Sequence, residues 1–261
     1  MIGHARLKRI FDLIIGHKIL WNAAKVIALS RTEANQYKKM GVLPDKIAIV
    51  PNGINLSSYS NLPKIGEFRK KYNIREDEKI ILFLGRINKI KGVDILVKAF
   101  ANILRVINNV RLVIVGPDDG YLGDIIKLVK ELGISEKIVF TGPLYGQEKL
   151  QAYIDADIYI LPSRYETFPM SVLEALACGI PIILSSRCSI SDYFKNKVGL
   201  VVKPSPASLA RAILQLLNNP ELTNFFKKNC RDVVKYFDIN RVVRKLEEIY
   251  NEIKGVNKFF H

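Results

Sequence analysis

Two glutamates separated by seven residues, Glu166 and Glu174, stand in the stretch SRYETFPMSVLEALACGIP, Ser163 to Pro181. An ionised carboxylate only accepts hydrogen bonds and has several lone pairs to offer. Facing a cleft, such a group suits two adjacent hydroxyls of a ribose or a hexose. The same two residues also read as an acid–base pair, or singly as a solvated helix acid and a capping acid. A second group lies in RINKIKGVD, where Arg86 and Lys91 flank a short loop and Gly92 precedes a new helix. A guanidinium takes two phosphate oxygens at once, a lysine adds a compact charge, and a helix start offers unpaired N–H groups. A diphosphate fits this arrangement; so does the chance placement of two bases out of forty. Leu144 and Tyr145, in TGPLYGQEKL, could lie against a flat base or pack on the protein's own core.

Other chemistries lose their usual support. There is no GxxxxGK[ST] run and no GxGxxG after a strand, which argues against ATP hydrolysis and NAD binding. Cys178, Cys188 and Cys230 are scattered without a CxxC spacing, so neither a disulfide framework nor a metal is expected, and a reducing, cytoplasmic setting fits best. No apolar run approaches the ~20 residues that span a bilayer. The 261-residue chain carries a net charge of +15, and residues 1–75 hold 14 Lys or Arg against 4 Asp or Glu. That imbalance favours an anionic neighbour: membrane lipid, nucleic acid or a phosphorylated substrate. Nucleic acid is disfavoured, because the basic segment lacks aromatic interleaving or a recognition motif.

The elements that must position these residues follow from periodicity. Apolar runs at IILFLG, RLVIVG, KIVFTG, DIYILP, PIILSS and GLVV alternate with helical stretches such as GVDILVKAFANILRVI and GQEKLQAYIDA. Strands apolar on both faces, alternating with helices, predict an α/β fold: a doubly wound parallel sheet, covered on both sides, with C-terminal helices. Ligands of such sheets sit at the carboxyl ends of the strands, where Arg86, Lys91 and Glu166 fall. Pro169 fits the first position of a helix that ends near Gly179, placing Glu174 under two turns inside it. Before this domain, RLKRIFDLIIGHKILWNAA reads as a helix, KVIALS and KIAIV as strands, RTEANQYKKMG as a helix and Asn55 to Lys64 as a linker; within it, the connection at Gly116, Gly120 and Gly123 reads as flexible or, more simply, as a plain strand-to-helix turn.

LGRINKIKG together with LPSRYETFPMSVLEALACGIPII resembles glycosyltransferase family 4, whose members have the GT-B fold, and the likeness runs from about Lys25 to Ile253. The resemblance implies a Rossmann-like GT-B C-terminal domain that binds a nucleotide-diphosphate sugar and takes part in transfer to a hydroxyl acceptor with retained configuration. It implies that Arg86 and Lys91 clamp the diphosphate, that Glu174 binds the ribose hydroxyls, and that Glu166 touches the donor sugar, so that Glu166, Arg86 and Lys91 carry the chemistry. Thr167, Phe168, Pro169, Met170 and Ser171 would line the donor with backbone groups, and Leu144 would lie near the base. Family members often have Gly where Pro169 stands, which removes one donor.

On this reading residues 1–54 are the end of an acceptor domain with the interdomain hinge, 55–238 the donor-binding domain, and 239–261 a crossover helix and tail. A partner chain would supply the acceptor domain; otherwise the chain is a non-catalytic nucleotide-sugar-binding module. His4, His17 and His261 have no context matching the family's histidine. Arg6, Lys8, Arg9 and Lys18 could face anionic lipid, giving a peripheral place on the inner face of the membrane.

Overall fold

The computed structural model describes residues 16–257 of the chain. Two compact units emerge, one formed by Ile54–Asp238 and the other by the described residues up to Gly53 and from Ile239 onward.

The flanking unit opens with α1 (His17–Asn22), β1 (Val26–Ala28), α2 (Arg31–Lys39) and β2 (Ile47–Ile49), with β1 and β2 paired in parallel. Helix α2 starts where Ser30 Oγ accepts the Glu33 N–H and the Glu33 carboxylate reaches back to the Leu29 N–H, a reciprocal cap. Gly41, at φ +87°, follows its end. Most of the basic N-terminal helix read from sequence, with Arg6, Lys8, Arg9 and His4, lies outside the described residues, as does His261.

The central unit then runs α3 (Glu67–Lys71), β3 (Lys79–Leu84), α4 (Val93–Leu104), β4 (Val110–Val115), α5 (Leu122–Glu131), β5 (Ile138–Gly142), α6 (Gly146–Ile154), β6 (Ile158–Leu161), α7 (Met170–Ala177), β7 (Ile182–Ser185), α8 (Ser191–Phe194), β8 (Gly199–Val202), α9 (Pro206–Leu217) and α10 (Pro220–Val234). The chain returns to the flanking unit as α11 (Ile239–Asn257), whose Val242, Leu246, Ile249 and Ile253 recur at helical spacing and pack with Val50.

The six strands of the central unit are all parallel, in the order β5-β4-β3-β6-β7-β8. Ile80, Ile81, Leu82 and Phe83 of β3, and Ile182, Ile183 and Leu184 of β7, are fully buried, as strands covered by helices on both faces must be. Chain order reverses between β3 and β6. A doubly wound sheet opens a crevice at that switch, outside the carboxyl ends of the two strands. The helices after β8 start sharply: Ser205 caps α9 before Pro206, and Asn219 caps α10 before Pro220.

Three local expectations change. The linker read from Asn55 to Lys64 contains a 3-10 turn, Leu56–Tyr59, because Asn55 Oδ1 accepts from the Ser57 N–H and hydroxyl at 3.1 and 2.7 Å. Gly116, read as part of a flexible connection, is a close backbone crossing. At φ +145° it passes Gly85 so tightly that a Cβ would lie 1.9 Å from the Gly85 carbonyl oxygen. Pro169 caps α7 rather than starting it; its backbone is extended, and its carbonyl accepts the Val172 N–H.

Candidate functional site

The loop after β3 is built to a fixed shape. Asn88 Oδ1 accepts the Lys91 N–H at 3.0 Å and caps a 3-10 turn, Lys89–Lys91. Gly92 then turns into α4 at φ +72°, where a Cβ would lie 2.4 Å from the Pro162 carbonyl oxygen. Glycine is required there twice over, for the left-handed backbone and for the close approach of the loop after β6. That second loop is laced to the first: the Arg164 N–H donates to Ile90 O at 2.8 Å, and the guanidinium donates to Lys89 O.

Arg164 also forms a two-pronged pair with Asp94 in the first turn of α4, at 2.8 and 2.7 Å. Burial pushes the Asp94 carboxyl up, but the hydrogen bonds and charge of Arg164 outweigh it and hold the group below its ordinary value. The α4 start, a candidate anion seat by sequence, therefore already holds an acid and its own counter-ion. The start of α7 contrasts with it: no side chain caps it, and its first turn has no acid. A helix start in that condition suits an external anion.

Lys91 and Glu166 meet directly, as a mostly buried ion pair. Glu166 is set by main-chain bonds to the loop after β7: its N–H donates to Arg187 O, and its carbonyl accepts the Ser189 N–H at 2.8 Å. Thr167 follows it, and Phe168 turns inward to pack edge-on against Phe237, with ring centres 6.0 Å apart. Pro169, Met170 and Ser171 lead into α7, with the Ser171 hydroxyl 2.7 Å from that of Tyr159. Arg86 is exposed and lies 3.1 Å from Asp119, in the loop after β4, which also accepts from the Asn88 amide. Two further main-chain bonds tie these loops together: Ile87 N–H to Pro117 O at 2.9 Å and Asp119 N–H to Ile87 O at 3.1 Å.

Glu174, on the second turn of α7, is held from α6. Lys149 Nζ lies 2.8 Å from Oε1, and the Tyr153 hydroxyl donates to Oε2 at 2.9 Å. The half-buried Tyr59 is another neighbour: burial first, then the charge of Glu174, push its phenol up. Of the two residues after the β5 turn, Leu144 is buried and Tyr145 is 75 % exposed. Burial pushes the thiols of Cys178, Cys188 and Cys230 up to about 12, which leaves them protonated. Among the described residues no group of three or more His, Cys, Asp or Glu could hold a metal, and no helix is long and apolar enough to cross a membrane.

The structure thus brings together Lys91 with Glu166, and places Arg86, Ser171 and Glu174 on elements that meet around the same strand ends. Sequence reasoning missed Asp94, Asp119, Lys149, Tyr153, Tyr159 and Arg164. Lys149 and Tyr153, four apart on one helix, share a face, and that spacing was a usable signal.

Fold and crevice together define a Rossmann-like α/β unit of the GT-B type. Residues 64–233 match the family of glycosyl transferases group 1, and the chain belongs to that family. An uncharacterized glycosyltransferase of Methanocaldococcus jannaschii is 32% identical over 240 residues, 88% of this chain and 60% of that protein. The sucrose-phosphate synthase structure from Thermosynechococcus elongatus aligns with a TM-score of 0.80 at 29% identity, covering 94% of this chain and 62% of the other. Anabaena HepE, solved in complex with UDP and glucose, aligns with a TM-score of 0.81 at 20% identity, over 94% of this chain and 67% of its own; that likeness is one of fold. The chain spans about three-fifths of the length of the curated relatives it matches.

Proposed function

We propose that this chain is the donor-binding half of a retaining, family 4 glycosyltransferase, and that it binds a nucleotide-diphosphate sugar in the crevice between β3 and β6. The observation that carries the reading is the meeting of Lys91 with Glu166 beside the start of α7, which has no side-chain cap and no acid in its first turn. Cations from one loop, a carboxylate from the next and the positive end of a helix dipole make a seat for a group that is anionic at one end and rich in hydroxyls at the other.

In this reading Lys91 and Arg86 hold the diphosphate, with Lys91 shared between it and Glu166. As the bond from sugar to diphosphate breaks, negative charge grows on the leaving oxygen. Arg86, Lys91 and the amides around Thr167 to Ser171 oppose that charge. Glu166 accepts from hydroxyls of the donor hexose, and Glu174 accepts from the ribose. The acceptor hydroxyl attacks on the face the diphosphate leaves. The counter-charge comes from side chains and amides, so EDTA is expected to leave donor binding unchanged.

An acceptor domain, from a partner chain or from further sequence, would complete the enzyme. We place it in the cytoplasm, with a peripheral membrane contact through the basic N-terminal residues. A second reading is a nucleotide-sugar-binding module without transfer. A thermal-shift screen with UDP-, GDP- and ADP-sugars tests the binding. A stabilised wild type and an unresponsive Glu174→Ala support it, and no shift with any of the three counts against it. Sugar transfer or donor hydrolysis by the purified chain would sink the binding-module reading.

A further inference from the structure

Glu174 is anchored at both oxygens from the same neighbouring helix: Lys149 at Oε1 and Tyr153 at Oε2. Tyr153 is fully buried. Burial, then Tyr159 and the Glu174 charge, push its phenol well above its ordinary value, so it always has one proton to give. Two acceptors compete for that proton, Glu174 Oε2 at 2.9 Å and Ser171 O at 3.2 Å. The charged and nearer one holds it. An ionised carboxylate has about four lone-pair sites, two on each oxygen. One site on each oxygen is already taken, which leaves one on each. Two acceptor positions, one per oxygen on a plane that cannot turn, match two adjacent hydroxyls. A carboxylate free to rotate could instead follow a single hydroxyl.

We propose that Tyr153 is a positioning residue which, with Lys149, fixes the Glu174 carboxylate so that the crevice demands both hydroxyls of a ribose and discriminates against a 2′-deoxyribonucleotide. This rests on the ribose role given to Glu174 above. In the wild type, loss of the 2′-hydroxyl leaves a charged acceptor without its partner. Tyr153→Phe keeps the ring and its packing but frees Oε2, and the carboxylate then turns to meet the remaining hydroxyl.

The test is titration calorimetry on the full chain with UDP against 2′-deoxy-UDP, and with the corresponding GDP and ADP pairs. Wild type, Tyr153→Phe and Glu174→Gln are compared, with thermal melts to verify folding. The wild type is expected to prefer the ribonucleotide by about tenfold, since an unpartnered charged acceptor is costly. In Tyr153→Phe that preference should fall below about threefold, a change that a merely structural role for the hydroxyl would not produce. A Tyr153→Phe protein that keeps the wild-type ratio overturns the proposal. If Glu174→Gln loses the ratio while Tyr153→Phe keeps it, the role of Glu174 stands and the positioning role alone fails. If no ribonucleotide diphosphate binds the wild type, the donor reading fails and takes this inference with it. Should Tyr153→Phe not fold, Lys149→Met removes the other anchor, and an unchanged ratio there also counts against the proposal.

Discussion

Both ends of the central sheet carry ion pairs, and they use them in different ways. At the amino end, Glu78 is buried and accepts two bonds at 3.0 Å from Arg111, a contact from Lys137 and the Arg75 N–H. Asp155 caps α3 through the Gly66 and Arg69 N–H groups, and Asp157 takes the Ile80 N–H together with Lys79 and Arg69. These acids are tied to main-chain amides that cannot swing away. At the carboxyl end, side chains hold the corresponding carboxylates: Lys91 for Glu166, Lys149 and Tyr153 for Glu174, and Arg86 for Asp119. The presence of charge therefore does not distinguish site from scaffold here; whether these carboxylates also take main-chain amides does.

The comparison can be broken most directly at Glu78. Glu78→Ala strands the Arg111 charge and should cost about 3 kcal/mol, a fall in Tm of roughly 6–12 °C in a thermal melt, with nucleotide affinity of the folded protein unchanged. Loss of affinity at an unchanged Tm would reverse the assignment. Lys91→Met is the counterpart. Losing one charge-assisted bond to the donor should weaken nucleotide-sugar binding by about tenfold or more in calorimetry, and the Glu166 charge left without its partner should lower Tm as well.

Acid sharpens the picture at the Arg164–Asp94 strut. Asp94 is held below its ordinary 3.8 in the folded chain. Its stabilisation is therefore complete above that value and lost as pH falls through the folded one. Asp94→Asn should be less stable than wild type by about 1 kcal/mol at neutral pH in urea titrations, and the gap should close below about pH 4. A gap that stays constant with pH would remove the electrostatic account of the strut. Smallest of all is Asp119→Asn: both partners of this pair are well exposed, so the urea midpoint should move by less than about 0.5 kcal/mol equivalent.

The six central strands were legible because each is apolar on both faces and ends at a turn or helix signal, from IILFLG through GLVV. The strand ends after which Arg86, Lys91 and Glu166 fall were legible as well, whereas the switch between β3 and β6 was not, because strand order is set by pairing between distant segments. The small elements were not. Helix α3 is five residues long and begins at Gly66, with φ +97°; its start is satisfied by Asp155, 89 residues away. No local pattern can announce a cap supplied from that distance. Glu174 was readable as an acid inside the helix after β6, but its anchors lie 25 and 21 residues upstream, and only the fold sets α6 beside α7. Likewise Asp94 reads as one more acid in a helix start until Arg164 is seen to close on it.

The main-chain bonds from Ile87 to Pro117, from Asp119 back to Ile87, from Arg164 to Ile90 and from Ser189 to Glu166 run from loop to loop across the strand ends. They continue the sheet's ladder for one more rung beyond its last strand residues. Amides in such bonds exchange with solvent only when the underlying unit opens. Deuterium uptake at these loop positions should therefore track β3 and β6 rather than the surface, and a donor would find its floor already ordered, with little conformational entropy left to lose on arrival.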